Sequence, residues 1–599
     1  MAERSRQLPR LVVQVARKGK LVTGEPFFTP GVPLILETKG WGALENGDLA
    51  MVQVGPGRAK VERVIGHADR IENVLEALLI ERGLRVEYEP HTIPEPSLEN
   101  RVDLRELTTY TIDPDTAKDF DDALSFRREP DGIRAWVHIA DVSYFVPAGC
   151  PLDQGAAQRG FSTYVPGLVA PMLPHSLADD ACSLRPNVER LTVTVEMPPG
   201  DGEPIFYRSV IRSDARLTYG QAQRREAPPV ILEQLDMNSE LATEWRRRRF
   251  ARGALEVTTP EVVFSFDEGK VTNAWMEGEP HAHMLVEELM IRANEYVAAF
   301  LAGRGREALY RVHEEPDPQA IQLLLAKLAD LKVPTPPVPE HLSPHSAAEL
   351  SGILSHAVAA YVKSSGRGTE AFPALVLRAL KQARYDPANL GHSGLASVAY
   401  CHFTSPIRRY PDLVIHRALL REIGQSDDAL PGDLDGLAEH LSFVERGAGK
   451  LEHMADDICL AWLLEDRMLE RGWKDPWVGQ IVGVIESGLF VLFGEVFEGY
   501  LPVRRLPGDY FELNVTGTAL TGKRGGRTYR LGDTIEVMIH SIKKSEGKVD
   551  LALPDSPADG TRKPKPAKSG VSRPPSGSAR GGKRAGASSK RSKRGSRRS

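Results

Sequence analysis

The stretch TIDPDTAKDFDDALSF, residues 111–126, places five aspartates within ten positions: Asp113, Asp115, Asp119, Asp121 and Asp122. Neighbouring carboxylates repel by about 4 kcal/mol per pair at 4 Å in an effective dielectric near 20. Asp119, Asp121 and Asp122 abut the apolar ALSF and the strand-like AWVHIADVSYFV, so they do not belong to a polar tract bathed in water. A fold keeps such carboxylates ionised and adjacent only when cations sit among them. Oxygen ligands without His or Cys favour Mg²⁺, with Mn²⁺ as the alternative, over zinc. A site of that kind serves metal-assisted phosphodiester chemistry. Acidic runs are commonly solvated faces, which the apolar flanks here oppose. A calcium EF-hand loop counted from Asp113 requires Gly at its sixth position and Glu at its twelfth. The chain has Lys118 and Leu124 there, so that reading fails.

At 599 residues the chain is too long for one core and predicts several domains. It has no run of eighteen apolar residues, and the N-terminal segment MAERSRQLPRLVVQVARKGK has no apolar signal core, so no membrane association is expected. Cys150, Cys182, Cys401 and Cys459 lie far apart without CxxC spacing. That disfavours a disulfide scaffold or zinc ribbon and fits a reducing cytoplasm. The net charge of −5 conceals an asymmetry. Residues 561–599 hold 14 Lys or Arg and no acid, which leaves a net of about −19 in the first 560 positions. A basic tail on an acidic body is suited to touching a polyanion.

Residues 1–95 read as short strands followed by a helix. GVPLILE, GDLAMVQV and RAKVERVIG alternate between Gly and Pro breaks, as in a small barrel, and ADRIENVLEALLIERGL has helical spacing. Residues 96–435 predict one large α+β domain containing an amphipathic helix, AHMLVEELMIRANEYVAAFL, and a rigid loop, VPTPPVPEHLSP. Residues 436–475 read as a helical connector. WVGQIVGVIESGLFVLFGEVFEGYLPV and YRLGDTIEVMIHSIKKSEGKVDLAL, within 476–555, predict a five-stranded OB barrel. The Ser/Gly/Arg/Lys-rich residues 556–599 have little to bury and are expected to be disordered.

TIDPDTAKDFDDAL resembles the signature of the RNB domain, the catalytic domain of the ribonuclease II and ribonuclease R exoribonucleases. FSTYVPGLVAPMLPHSLADDACSLRP (161–186), VEELMIRAN (286–294) and AYCHFTSPIRRYPDLVIHRAL (399–419) resemble further blocks of that domain, in the same order. The N-terminal segment resembles a cold-shock barrel and the C-terminal one an S1 domain. HFTSPIRRYPDL and the basic tail resemble ribonuclease R more than ribonuclease II.

The resemblance implies processive 3′→5′ hydrolysis of RNA to nucleoside 5′-monophosphates. It makes Asp113, Asp119, Asp121 and Asp122 the metal-site aspartates, with Asp122 the most consequential for chemistry. Arg408 becomes the phosphate-gripping arginine, Tyr164 the ring stacked on the 3′-terminal base, and Glu287 a contact to the terminal nucleotide, with Glu288 as its neighbour in register. Implied partners are single-stranded RNA with a free 3′ end, structured RNA, and RNA or ribosomes through the tail; a monomer is expected. The rival reading is a non-catalytic RNA-binding scaffold with a decayed site. Two positions depart from the family: Val257 replaces a base-sandwiching phenylalanine, and Ser393 stands where an aromatic is common. Relatives usually carry two cold-shock barrels, and the residues here suffice for one. Arg246–Arg249 of WRRRRF are expected to form the wet face of a helix.

Overall fold

Strands β1 (Arg10–Lys18), β2 (Leu21–Pro26), β3 (Leu34–Glu37), β4 (Asp48–Val54) and β5 (Ala59–His67) close into a barrel in the order β1-β2-β3-β5-β4. Alternation drives the closure. Val13, Val15, Leu36, Ala50, Val52 and Val61 point inward and form their own small core. Gly24 permits the tight wall, because a Cβ there would lie 2.4 Å from Cγ2 of Val13. Helix α1 (Ile71–Glu81) buries Ile71, Val74, Leu75 and Leu78 against the outside of this barrel. The computed structural model describes residues 9–554 except positions 20, 43, 85–86, 201, 257–260, 279 and 338–340. The basic tail, expected to be disordered, and Val257 lie outside the described residues.

The centre is a seven-stranded sheet built from β6 (Val102–Asp103), β7 (Tyr110–Asp113), β8 (Asp122–Glu129) and β9 (Gly132–Ala140), followed by three later strands. Between them come helices α2 (Val142–Phe145) and α3 (Pro151–Arg159) and a small hairpin, β10 (Thr163–Val165) with β11 (Leu168–Ala170). Strands β12 (Glu189–Met197), β13 (Ile205–Arg212) and β14 (Ala215–Thr218) complete the order β14-β7-β8-β9-β12-β13-β6. The pairs β14–β7 and β13–β6 are parallel; the others are antiparallel.

Both faces of the sheet are covered. Helices α4 (Tyr219–Arg224), α5 (Pro229–Ala251) and α6 (Pro280–Gly303) follow β14. Ile231 and Leu235 of α5 and Leu285, Leu289 and Val297 of α6 pack on Leu124, Phe126, Val137 and Val195 of one face. Each such buried side chain contributes roughly 1.5–3 kcal/mol. On the other face Phe145, Leu152 and Ala156 meet Ala123, Ala140 and Leu191. Strands β15 (Val262–Asp267) and β16 (Lys270–Met276) form a hairpin, and β17 (Tyr310–Val312) pairs with β18 (Arg384–Asp386). Helices α7 (Pro318–Asp330), α8 (Pro344–Ser365) and α9 (Ala371–Arg378) make a separate helical core.

Helix α10 (Tyr410–Glu422) is buried along almost its whole length. Helix α11 (Leu434–Arg471), 38 residues long, leads to a second closed barrel. That barrel consists of β19 (Trp477–Ile485), β20 (Gly488–Phe493), β21 (Phe497–Pro502), β25 (Thr534–Lys543) and β26 (Lys548–Ala552). A three-stranded sheet, β22 (Phe511–Leu513), β23 (Ala519–Gly522) and β24 (Thr528–Arg530), is inserted before β25. These elements bear out the expected architecture of barrel, α+β centre and C-terminal OB barrel. Among the described residues no helix is long and apolar enough to cross a membrane.

Candidate active site

The acidic loop runs between the end of β7, at Asp113, and the start of β8, at Asp122. Its backbone is pinned from both sides. Phe120 is buried in the core beneath, its N–H donates to Ser183 Oγ at 3.1 Å, and Ser183 in turn donates to the Lys118 carbonyl at 2.7 Å. Arg216 donates to the carbonyls of Pro114 and Asp115 and lies over the Phe120 ring. The aromatic within the acidic run is therefore the anchor that turns the neighbouring carboxylates toward one place.

A second loop, residues 404–409, closes over the first. The Ile407 N–H donates to Asp121 Oδ1 at 2.8 Å, and Arg408 Nε lies 3.7 Å from Asp121 Oδ2. Buried Asp412, at the start of α10, accepts from the Ser405 N–H and from Arg409, both at 2.7 Å, and so holds the loop from below. Arg409 is thus occupied in the fold, whereas the Arg408 side chain is 43% exposed. The hairpin carrying Tyr164 is stitched to the same loop: Ser162 N–H donates to the Arg408 carbonyl and Tyr410 N–H to the Gly160 carbonyl, each at 2.9 Å. Tyr164 itself is 37% exposed; its hydroxyl donates to Asp119 Oδ2 at 2.6 Å, and its N–H donates to Glu452 of α11 at 2.8 Å.

The electrostatics are short of positive charge. Burial, reinforced by the Asp122 charge, pushes Asp113 up to about 8 although the Thr111 hydroxyl donates to it at 2.6 Å. Burial pushes Asp122 up to about 6 against the pull of Arg408 and Arg409. Asp121 is raised well above the usual carboxylate range by burial, despite Arg408 and the Ile407 N–H. Its Oδ2 is buried without a hydrogen-bond donor among the described residues. An orphaned carboxylate oxygen among three disfavoured charges is what a hard cation would satisfy. Among the described residues no three His, Cys, Asp or Glu side chains form a ready-made metal cage. A Mg²⁺-like ion needs none, since it keeps waters and takes the remaining ligands from phosphate.

Four predicted residues thus meet as two contacting pairs, Tyr164 with Asp119 and Arg408 with Asp121; the charge of Asp119 acts on Asp121, and Asp113 and Asp122 are coupled through their charges. Glu287 is not bonded to the aspartates; it faces Arg249 at 3.2 Å and Arg246 at 3.7 Å on α5. One further side chain comes close to the aspartates without a signal in the sequence. Tyr219, the first residue of α4, stacks on His283 of α6 at 3.9 Å, and burial together with the Asp122 and Asp113 charges raises its hydroxyl. A lone tyrosine after a capping Thr218 gives no sequence signal of that position. Ser393 sits in a 3₁₀ turn with its hydroxyl donating to the Glu314 carbonyl at 3.1 Å. The WRRRRF run is a wet face only in part: Arg249 is 4% exposed because Glu288, itself buried on α6, takes its guanidinium through both oxygens.

Residues 101–424 match the family model described as the RNB domain. The chain belongs to the RNB-domain family. It is 34% identical over 558 residues to Ribonuclease R of Aquifex aeolicus, covering 87% of this chain and 77% of that one. It is 36% identical over 490 residues to Ribonuclease R of Escherichia coli, covering 77% of this chain and 58% of that protein. The chain thus spans a little over half of the Escherichia coli relative. Among solved structures, Mycoplasma genitalium RNase R in complex with ribose methylated single-stranded RNA superposes with a TM-score of 0.81 at 24% identity, covering 91% of this chain and 90% of that one. That likeness carries the fold. The sequence relatives place this RNB-domain chain in the enzyme class of 3′→5′ exoribonucleases, RNA hydrolases that depend on a divalent metal.

Proposed function

We propose that this chain degrades single-stranded RNA processively from a free 3′ end, releasing nucleoside 5′-monophosphates with Mg²⁺ as its cation and Mn²⁺ as a substitute. The observation that carries the reading is the buried Oδ2 of Asp121, without a donor among the described residues, facing Arg408 in a loop whose Asp119 accepts from the half-exposed Tyr164. Asp113, Asp119, Asp121 and Asp122 are the residues that would hold the metal. When bound, the ion supplies a water of lowered pKa and offsets charge gathering on the phosphate.

The remaining work falls to the chain's own groups. Arg408, exposed at its tip and fixed at its backbone by Ser162, presents a planar guanidinium to phosphate oxygens, where charge accumulates in the transition state. Tyr164 offers a face to the terminal base, and its bond to Asp119 fixes the ring's angle to the carboxylates. Base stacking is worth about 1–3 kcal/mol and tolerates any sequence. Glu287 would contact the terminal nucleotide from α6. The two barrels would guide a single strand inward, and the basic tail would add a sequence-independent grip on RNA, free, structured or ribosomal. The four cysteines are all free thiols, in keeping with a reducing cytoplasm.

The test is end-labelled single-stranded RNA with Mg²⁺, comparing the wild type with Asp122→Asn. Stepwise mononucleotide release that disappears in the variant while binding persists is the expected result. Binding without turnover in both proteins would establish a scaffold instead, and internal cuts an endonuclease.

A further inference from the structure

A cavity of about 120 Å³ lies between the last turns of α5 and the middle of α6, apart from the aspartate loop. Four guanidinium groups line it: Arg248 and Arg249 from α5, Arg252 just past its end, and Arg292 from α6. Only two acids share the lining, Glu288 and Glu295, and both are engaged. Glu288 gives both oxygens to Arg249. Glu295 accepts from Arg252 at 2.9 Å, from Arg292 at 3.4 Å and from the Ser397 hydroxyl.

Each guanidinium carries five N–H donors and no acceptor. With the two lining carboxylates committed, the wall is rich in donors, and the buried Nε of Arg292 has no hydrogen-bond partner among the described residues. Trp245 supplies an apolar flank, with Arg292 6.0 Å above its ring. What satisfies such a wall is a compact ligand that only accepts: a tetrahedral oxyanion. The cavity has room for a phosphate group. Glu244 and Glu287 at the rim pair with Arg248 and Arg249 and offset part of the charge, so binding should be weak.

We propose that this cavity is a phosphate-binding site, filled by orthophosphate or by the phosphate of a nucleoside 5′-monophosphate. The second source would make it a product sensor and rests on the proposed exonuclease reaction; the first does not. The affinity expected is on the order of 1 mM.

The test titrates the full-length protein with orthophosphate in chelator at fixed ionic strength, reading the part of tryptophan fluorescence that Trp245→Phe removes. A saturable change is expected in the wild type and in Arg408→Ala. It should weaken at least tenfold in Arg252→Gln, whose side chain is 43% exposed and so tolerates replacement, and likewise in Arg248→Gln. A repeat with a nucleoside 5′-monophosphate separates the sources. Tighter binding than orthophosphate assigns the product, and equal binding assigns the free ion. A response matched by chloride, lost only in Arg408→Ala, or absent altogether would overturn the proposal, whatever the outcome of the nuclease assay.

Discussion

At the residue scale, the site hinges on carboxylates that the fold charges at a cost. Asp121→Asn keeps an oxygen for the Ile407 N–H but removes the negative charge that a cation would meet. A ligand bound only by the native state stabilises it by about 2.7 kcal/mol at 100 times Kd. Millimolar Mg²⁺ should therefore raise the melting temperature of the wild type and leave that of Asp121→Asn nearly unchanged, as a thermal-shift titration would report. Asp122→Asn should cut single-turnover cleavage at least about 100-fold with RNA affinity retained. This much was legible in the sequence because charge repulsion is local: five aspartates in ten residues demand an explanation before any fold is known. Tyr219 and Arg249 were not legible, because each takes its meaning from a helix 39 or more residues away. Tyr219 meets His283, and Arg249 meets Glu288.

At the element scale, helix α10 sets the geometry of the loop before it. Asp412 accepts from Ser405 and Arg409, and the same short loop delivers Arg408 and the Ile407 N–H to Asp121. Breaking a buried ion pair costs about 3–5 kcal/mol. Asp412→Ala should lower stability by that order in urea unfolding. Asp412→Asn, which still accepts from Ser405, should fold and show a loss in kcat larger than its change in KM.

Strand β9 carries a different liability. His138 is fully buried between Ser125 and Thr194, and burial alone pushes its pKa down to about 3. The unfolded chain takes up a proton near pH 6.5 that the native state refuses, so this stability is complete above 6.5 and is lost as pH falls toward 3. Between pH 7 and 4.5 the loss attributable to His138 is about 2–3 kcal/mol at 1.36 kcal/mol per unit. Unfolding of His138→Gln at the two values should show a correspondingly flatter dependence; an unchanged slope would place the acid sensitivity elsewhere. Elements with clean periodicity, such as α6 and α11, could be read from sequence. Strand β1 is harder to read, since the basic residues of RLVVQVARK mask the buried Val12, Val13 and Val15. Helices α7 to α9 give no sign of their place in the sequence, because they bury their apolar faces mainly against one another.

At the scale of the whole molecule, charge separates what the two ends can do. The first 560 residues carry a net of about −19 and residues 561–599 a net of +14. An acidic body repels a polyanion at a distance, so under the proposed function it would rely on short-range contacts such as Arg408 and Tyr164. A basic segment acts at a distance and through counterion release. For single strands the slope of log Kobs against log salt is about −0.7 per phosphate neutralised. If three to six of the fourteen cations engage RNA at once, deleting residues 561–599 should make that slope shallower by about 2 to 4. The rate of the cleavage step at saturating RNA should not change, because no residue of the aspartate loop or of the loop carrying Arg408 is removed. Filter binding between 50 and 300 mM salt, paired with single-turnover cleavage, measures both quantities. A slope identical to that of the intact chain would mean that the tail does not touch the substrate, and the attraction would then have to come from the barrels, where basic residues such as Arg10 and Arg63 are already paired with glutamates.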